Sequence, residues 1–228
     1  MIPIRDKNPT DLFPAVTILI IGANIALFVF QLSEGISHFE RFVMSYALIP
    51  KQFTAHPFAS DQYISIFTSM FMHGSLLHLG GNMLFLWIFG NNVEDYLGHF
   101  KFAVFYLACG VAATLAHVLT HPVSPVPTIG ASGAISGVLG AYFLLFPRAK
   151  IVTLVPIFIF LYFIEVPAFL FLGLYIALQF LYGLPSLSGG PTEAQGIAWF
   201  AHIGGFFAGF FFLFLLGGRR GFRRRQYY

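Results

Sequence analysis

Long stretches of this chain carry no Asp, Glu, Lys or Arg: residues 15–32, 75–93, 102–120, 132–146 and 198–216. A sixth, 151–183, is broken only by Glu165 and the prolines Pro156 and Pro167. A backbone surrounded by hydrocarbon must bond to itself, and helices do that within one segment. Such runs therefore limit the chain to a helical membrane fold. Charged residues make up 9% of the sequence, against about 25% in a water-soluble domain. The expectation is an all-α membrane protein with a single domain over residues 1–228. The lone Cys109 excludes an internal disulfide and argues against a cysteine metal site. The polar start (Arg5, Asp6, Lys7, Asn8) and the length of the first run favour a spanning helix over a cleavable signal.

Taken in order, residues 15–32 form the first span. Residues 33–65 are polar and aromatic and too long for a tight turn, so they form a functional loop or a re-entrant element. The second span is 75–93, with Glu94 and Asp95 capping helix ends beyond it, and the third is 102–120. The fourth, 132–146, is short. At about 1.5 Å per residue it covers about 22 Å of a roughly 30 Å hydrocarbon core, so its first residue lies below the surface. Proline suits a first helical turn, so the fifth span starts near Glu165 and the residues before it lie along the interface. The sixth span is 198–216, followed by a basic tail at 217–228 with five arginines.

Six spans put both termini on one side, with Lys101, Arg148 and Lys150. That side holds ten of the twelve Lys and Arg residues; only Arg41 and Lys51 fall opposite. The positive-inside rule then makes residues 1–14 and the tail cytoplasmic and the long first loop extracytoplasmic. Directly after a span, the arginines read as an anchor on anionic lipid, not as a nucleic-acid site.

This topology gathers a few polar residues at one depth. Ser132 opens the fourth span on the outer side, and His202 lies about one turn into the sixth. His78 and Asn82, four apart, share a face at the outer start of the second. Polar side chains at such depth face a bundle interior or a water-filled cavity. Ser132, Ser136 and Gly140 make one face of the fourth span. Ala201, Gly205 and Gly209 make a small-residue stripe beside His202, so the two helices can pack closely. A serine and a histidine that meet are the minimum for covalent acyl transfer.

These motifs resemble the rhomboid family of intramembrane serine proteases, in its minimal six-span prokaryotic form. The resemblance rests on Gly130-Ala131-Ser132-Gly133, on His78-Leu79-Gly80-Gly81-Asn82 after His73, and on Ala201-His202-Ile203-Gly204-Gly205. It extends to Ala47-Leu48-Ile49-Pro50 and Asn92-Val93-Glu94-Asp95, in order along nearly the whole chain. It implies a six-helix bundle in the plasma (inner) membrane whose active site opens to the extracytoplasmic side. Ser132 would be the nucleophile and His202 the general base. His78, Asn82 and the Ser132 backbone N–H would form the oxyanion hole, and Gly130, Ala131, Gly133 and Gly205 would shape the site. Substrates would be transmembrane segments of other proteins, with no cofactor and no metal.

Two other classes compete. An inactive relative that binds membrane proteins would lack the serine or the histidine, and both are present here. A channel or permease would need polar groups through both leaflets, whereas the cytoplasmic halves are uniformly apolar. A metalloprotease would want the HExxH pattern, and His73 and His78 are five apart with no such glutamate; a zinc site from His73, His78 and His202 is the other metal alternative. His73 is given a structural role, and His117 and His121 an interfacial one.

Overall fold

The computed structural model describes residues 1–33, 35–188 and 197–221, with side chains as far as 217. In chain order the elements are β1 Ile2–Asp6, α1 Ala15–Leu32, α2 Ile36–Tyr46, α3 Pro50–Ala55, α4 Ser60–Ser69 and α5 Leu76–Phe85. Helix α5 passes through a π-helical turn, Leu86–Gly90, into α6 Asn91–Leu97. Then come α7 His99–Thr120, α8 Ser132–Leu145, β2 Lys150–Ile157, β3 Phe160–Pro167, α9 Ala168–Gly183, a 3₁₀ turn Leu184–Ser188 and α10 Trp199–Gly221. Among the described residues, four helices are long and apolar enough to cross a membrane: α1, α7, α9 with its 3₁₀ turn, and α10; α8 is a shorter apolar helix.

Helix α8 is the centre. Every residue from Gly133 to Tyr142 is buried, enclosed by α7, α9, α10 and the π turn after α5. Small residues make this possible. A methyl group placed on Gly205 would lie 2.1 Å from the Gly133 carbonyl oxygen, and one on Gly209 would lie 2.1 Å from that of Gly137. One on Gly140 would lie 2.1 Å from the Phe206 oxygen. The two backbones thus touch along the seam. The face of α8 that meets α10 is Gly133, Gly137 and Gly140, which corrects the expected Ser132–Ser136–Gly140 face. Ser136 instead turns toward α9.

Helix α1 has no side-chain cap of its own. Buried Glu94 supplies it, accepting from Val16 N (2.9 Å), Thr17 N (2.8 Å) and Thr17 Oγ1 (2.7 Å), while Asp95 accepts from Leu12 N at 2.9 Å. The carboxylate also suits the positive end of a helix dipole. The long first loop is folded into α2, α3 and α4. It reaches the segment ahead of α8 at several points: Leu48 and Thr128 form a backbone bridge, Lys51 N donates to Ser124 O at 3.0 Å, Thr54 Oγ1 donates to Pro122 O at 2.7 Å, and Gly130 N donates to Ser69 O at 2.8 Å.

The all-α expectation needs correction. β1, β2 and β3 form an antiparallel sheet in that order, with Ile2 opposite Leu154 and Lys150 opposite Pro167. β-Branched residues at 151, 152, 153, 155 and 157 favour strand over helix. The fifth helix therefore begins at Ala168, behind Pro167, rather than near Glu165. Glu165 ties the base of the sheet together. It accepts from Lys7 and from Lys150, the latter at 2.9 Å, and these bonds hold its carboxyl down to about 2. Asp6, at the end of β1, accepts from Tyr142 and Asn92, both at 2.8 Å; burial nevertheless raises its carboxyl above the ordinary value. The last helix continues to Gly221, past the expected start of the basic tail, whose residues 222–228 lie outside the described residues.

Candidate active site

Ser132 is the first residue of α8, so its backbone N–H is one of the amides no earlier turn can satisfy. The turn before it depends on Gly130, whose φ of 129° lies where side chains are strained. A methyl group there would also sit 2.8 Å from His78 Cε1 and Nε2 and 3.6 Å from Ser132 Oγ. The glycine thus lets the His78 ring lie beside the serine. His78 is half-buried in the first turn of α5, where its N–H is taken by the N-cap hydroxyl of Ser75 at 3.1 Å.

The serine and the histidine from the last helix are in contact: His202 Nε2 lies 2.8 Å from Ser132 Oγ. On the other side of the ring, His202 Nδ1 lies 2.8 Å from Gln179 Oε1, from α9. An amide oxygen only accepts, so Nδ1 carries the imidazole proton. The lone pair of Nε2 is then left to accept the Ser132 hydroxyl. Trp199 meets His202 edge-to-face at 6.4 Å.

Asn82 is buried and its Nδ2 lies 2.9 Å from His73 Nε2. His73 is fully buried, and Gln31 Oε1 accepts its backbone N–H at 3.3 Å. The Asn82 amide nitrogen has two hydrogens. His73 takes one and so sets the amide's orientation, which leaves the second free to point elsewhere. The rings of His73 and His78 stand 5.0 Å apart, edge to face.

Gln179 escaped the sequence reading. Its signal was there: Tyr175 and Gln179 are one helical turn apart in an otherwise apolar helix, and Tyr175 Oη lies 2.6 Å from Ser136 Oγ. Buried polar groups in a span want partners, and these two find theirs on α8 and α10. His117 and His121, expected near the interface, are shielded by protein. Both are buried, and with Ser124, Thr128 and Ser186 they line a cavity of about 20 Å³. His121 Nε2 lies 3.1 Å from Ser186 Oγ. Among the described residues, no three His, Cys, Asp or Glu side chains group as metal ligands. Glu34 and Glu193 lie outside the described residues.

Fold and site together define a helical integral membrane protein with a serine and a histidine joined inside the bundle. Residues 60–219 match the Rhomboid domain, and the chain belongs to the rhomboid family. Rhomboid protein 1, mitochondrial, of Saccharomyces cerevisiae is 36% identical over 141 residues, 60% of this chain and 38% of its own length. Presenilin-associated rhomboid-like protein A, mitochondrial, of Danio rerio is 34% identical over 110 residues, 47% of this chain and 29% of its own. Rhomboid protease GluP of Bacillus subtilis is 39% identical over 83 residues, 36% of this chain and 16% of its own. The matches thus span well under half the length of these curated relatives.

Proposed function

We propose that this chain is an intramembrane serine endopeptidase that cuts peptide bonds in or near the transmembrane segments of other membrane proteins. The observation that carries it is the relay from Ser132 Oγ through His202 to Gln179, with both links at 2.8 Å. Support comes also from a relative that bears the name protease. A protein that only bound membrane segments would need neither link.

In this reading Ser132 Oγ attacks the scissile carbonyl as His202 Nε2 takes its proton. Gln179 holds Nδ1–H and keeps Nε2 aimed at the hydroxyl; it is a positioning residue. Negative charge develops on the former carbonyl oxygen. The Ser132 N–H at the positive end of α8, His78 and the second hydrogen of Asn82 Nδ2 receive it. His202 then gives its proton to the leaving amine. Water, deprotonated by the same imidazole, releases the acyl chain and restores the hydroxyl. A substrate helix must unwind locally, since a helical carbonyl is already bonded.

The bundle has six spans: α1, α5 to α6, α7, α8, α9 and α10. Both termini face the cytoplasm, where ten of the twelve basic residues gather. The site opens to the opposite side, and the family's transmembrane substrates are the partners. The test is labelling of the purified protein by a fluorescent phosphonate. Signal is expected in the native chain and in none of Ser132→Ala or His202→Ala, and neither variant cleaves a transmembrane reporter. Cleavage by Ser132→Ala at the native rate overturns the proposal.

A further inference from the structure

The hairpin of β2 and β3 takes no part in the site, yet it is an unusual surface. From Ile151 to Ile164 it contains no charged residue. Phe160 to Glu165 are exposed on both faces of β3, so neither face packs on the protein. The tip is more exposed still, with Phe158 at 98% and Ile159 at 87%. Phe158 adopts a φ of 55°, a left-handed conformation that turns in water give to Gly or Asn. β1 covers β2 only as far as Leu154, so the outer half is a bare two-stranded ribbon. Such a ribbon is marginal in water, and a strand half in water alternates apolar with polar, which this one does not.

We propose that this hairpin lies in the headgroup–acyl boundary of the same bilayer that the helices cross, as an apolar anchor between α8 and α9. The occupant of its surface is lipid. β2 begins five residues after the last residue of α8, and β3 runs straight into α9, so the base is held at the membrane surface. The charges sit at that base, in Lys7, Lys150 and Glu165, and the tip is apolar, an arrangement that matches the change from headgroup to acyl chain. A second copy paired along the free edge of β3 would cover one edge and leave both faces in water; lipid covers both. The open edge keeps the hairpin shallow, because unpaired backbone is not tolerated in the hydrocarbon core. The inference needs the membrane placement of the helices and not hydrolysis.

The full chain is reconstituted in phosphatidylethanolamine–phosphatidylglycerol vesicles with a nitroxide on Phe158→Cys, on Ile159→Cys, or on Arg148→Cys as an aqueous reference. Buried Cys109 stays unlabelled, with the native chain as blank. Spin-relaxation is measured with oxygen and with a water-soluble nickel chelate. The ratio should invert: nickel dominates at 148, oxygen at 158 and 159. Nickel dominance at the tip places the hairpin in water and overturns the proposal. Low accessibility to both reagents places it against protein, a second copy included, and overturns it equally.

Discussion

Helix α8 meets its two neighbours in opposite ways. Against α10 it is backbone on backbone, with Gly133, Gly137 and Gly140 facing Gly205, Phe206 and Gly209 and no side chain between them. Against α9 the contact is made through side chains, with Tyr175 reaching Ser136 at 2.6 Å and Gln179 reaching past to His202 at 2.8 Å. The glycine seam has one geometry, because the atoms that touch there are backbone. The second can loosen by losing a hydrogen bond. Ser132 and His202 sit on the two sides of the rigid seam, so their separation is set by the backbone, while the orientation of the imidazole ring is set by the adaptable face.

Breaking the rigid side should have the largest effect. In Gly205→Ala the new methyl group meets the Gly133 carbonyl at 2.1 Å, and backbone cannot swing aside as a side chain can. The helices must separate, at the upper end of overpacking costs, about 3 kcal/mol or more. Thermal unfolding in detergent reads the loss. A variant as stable as the native protein would show that the seam yields.

On the adaptable side, Gln179→Leu should leave stability nearly intact and lower kcat about tenfold to a hundredfold, roughly 1.4–2.7 kcal/mol of barrier, with KM little changed. Gln179→Glu keeps an acceptor for Nδ1–H and should recover most of that rate. Steady-state cleavage of a transmembrane reporter separates the alternatives. Equal loss in both variants, or a change confined to KM, would mean that Gln179 only packs.

What the sequence made legible follows the same division. Residues 15–32 coincide with α1, and α8 begins at Ser132 as expected, because apolar runs end where polar residues begin. That Ser132 and His202 come together was readable because few polar groups lie inside the runs and the small residues beside them allow close approach. The sheet was not readable. β2 and β3 are largely apolar on both faces, so period-two alternation is missing, and the pairing of Ile2 with Leu154 joins segments far apart in the chain. Gln179 was passed over for a related reason: its significance depends on the rotation of α9, which no local pattern reports. The assignment of α8's packing face failed because Ser132–Ser136–Gly140 and Gly133–Gly137–Gly140 are neighbouring stripes on one small-residue helix.

The smallest effect concerns the root of the adaptable side, where the sheet meets α9. α9 starts behind Pro167, and the strand before it is fastened by Glu165 to Lys7 and Lys150. The hydrogen bonds from the two lysines hold the Glu165 carboxyl at about 2, below its ordinary 4.5, so its contribution to stability is present above about pH 4.5 and disappears as the pH falls toward 2. Asp6 has the opposite sign. Burial raises it, so the folded chain binds that proton more tightly and gains stability on acidification. Glu165→Gln removes the first contribution and keeps the second. The melting temperature of the native chain should therefore exceed that of the variant near pH 6, and the gap should close as the pH is lowered through 4 toward 3. Added salt at pH 6 should narrow it as well, since the pairs are exposed. A gap that stays constant over that range would mean that Glu165 holds the root of α9 by shape alone, and the looseness of that side would then have to be sought at Tyr175 and Gln179.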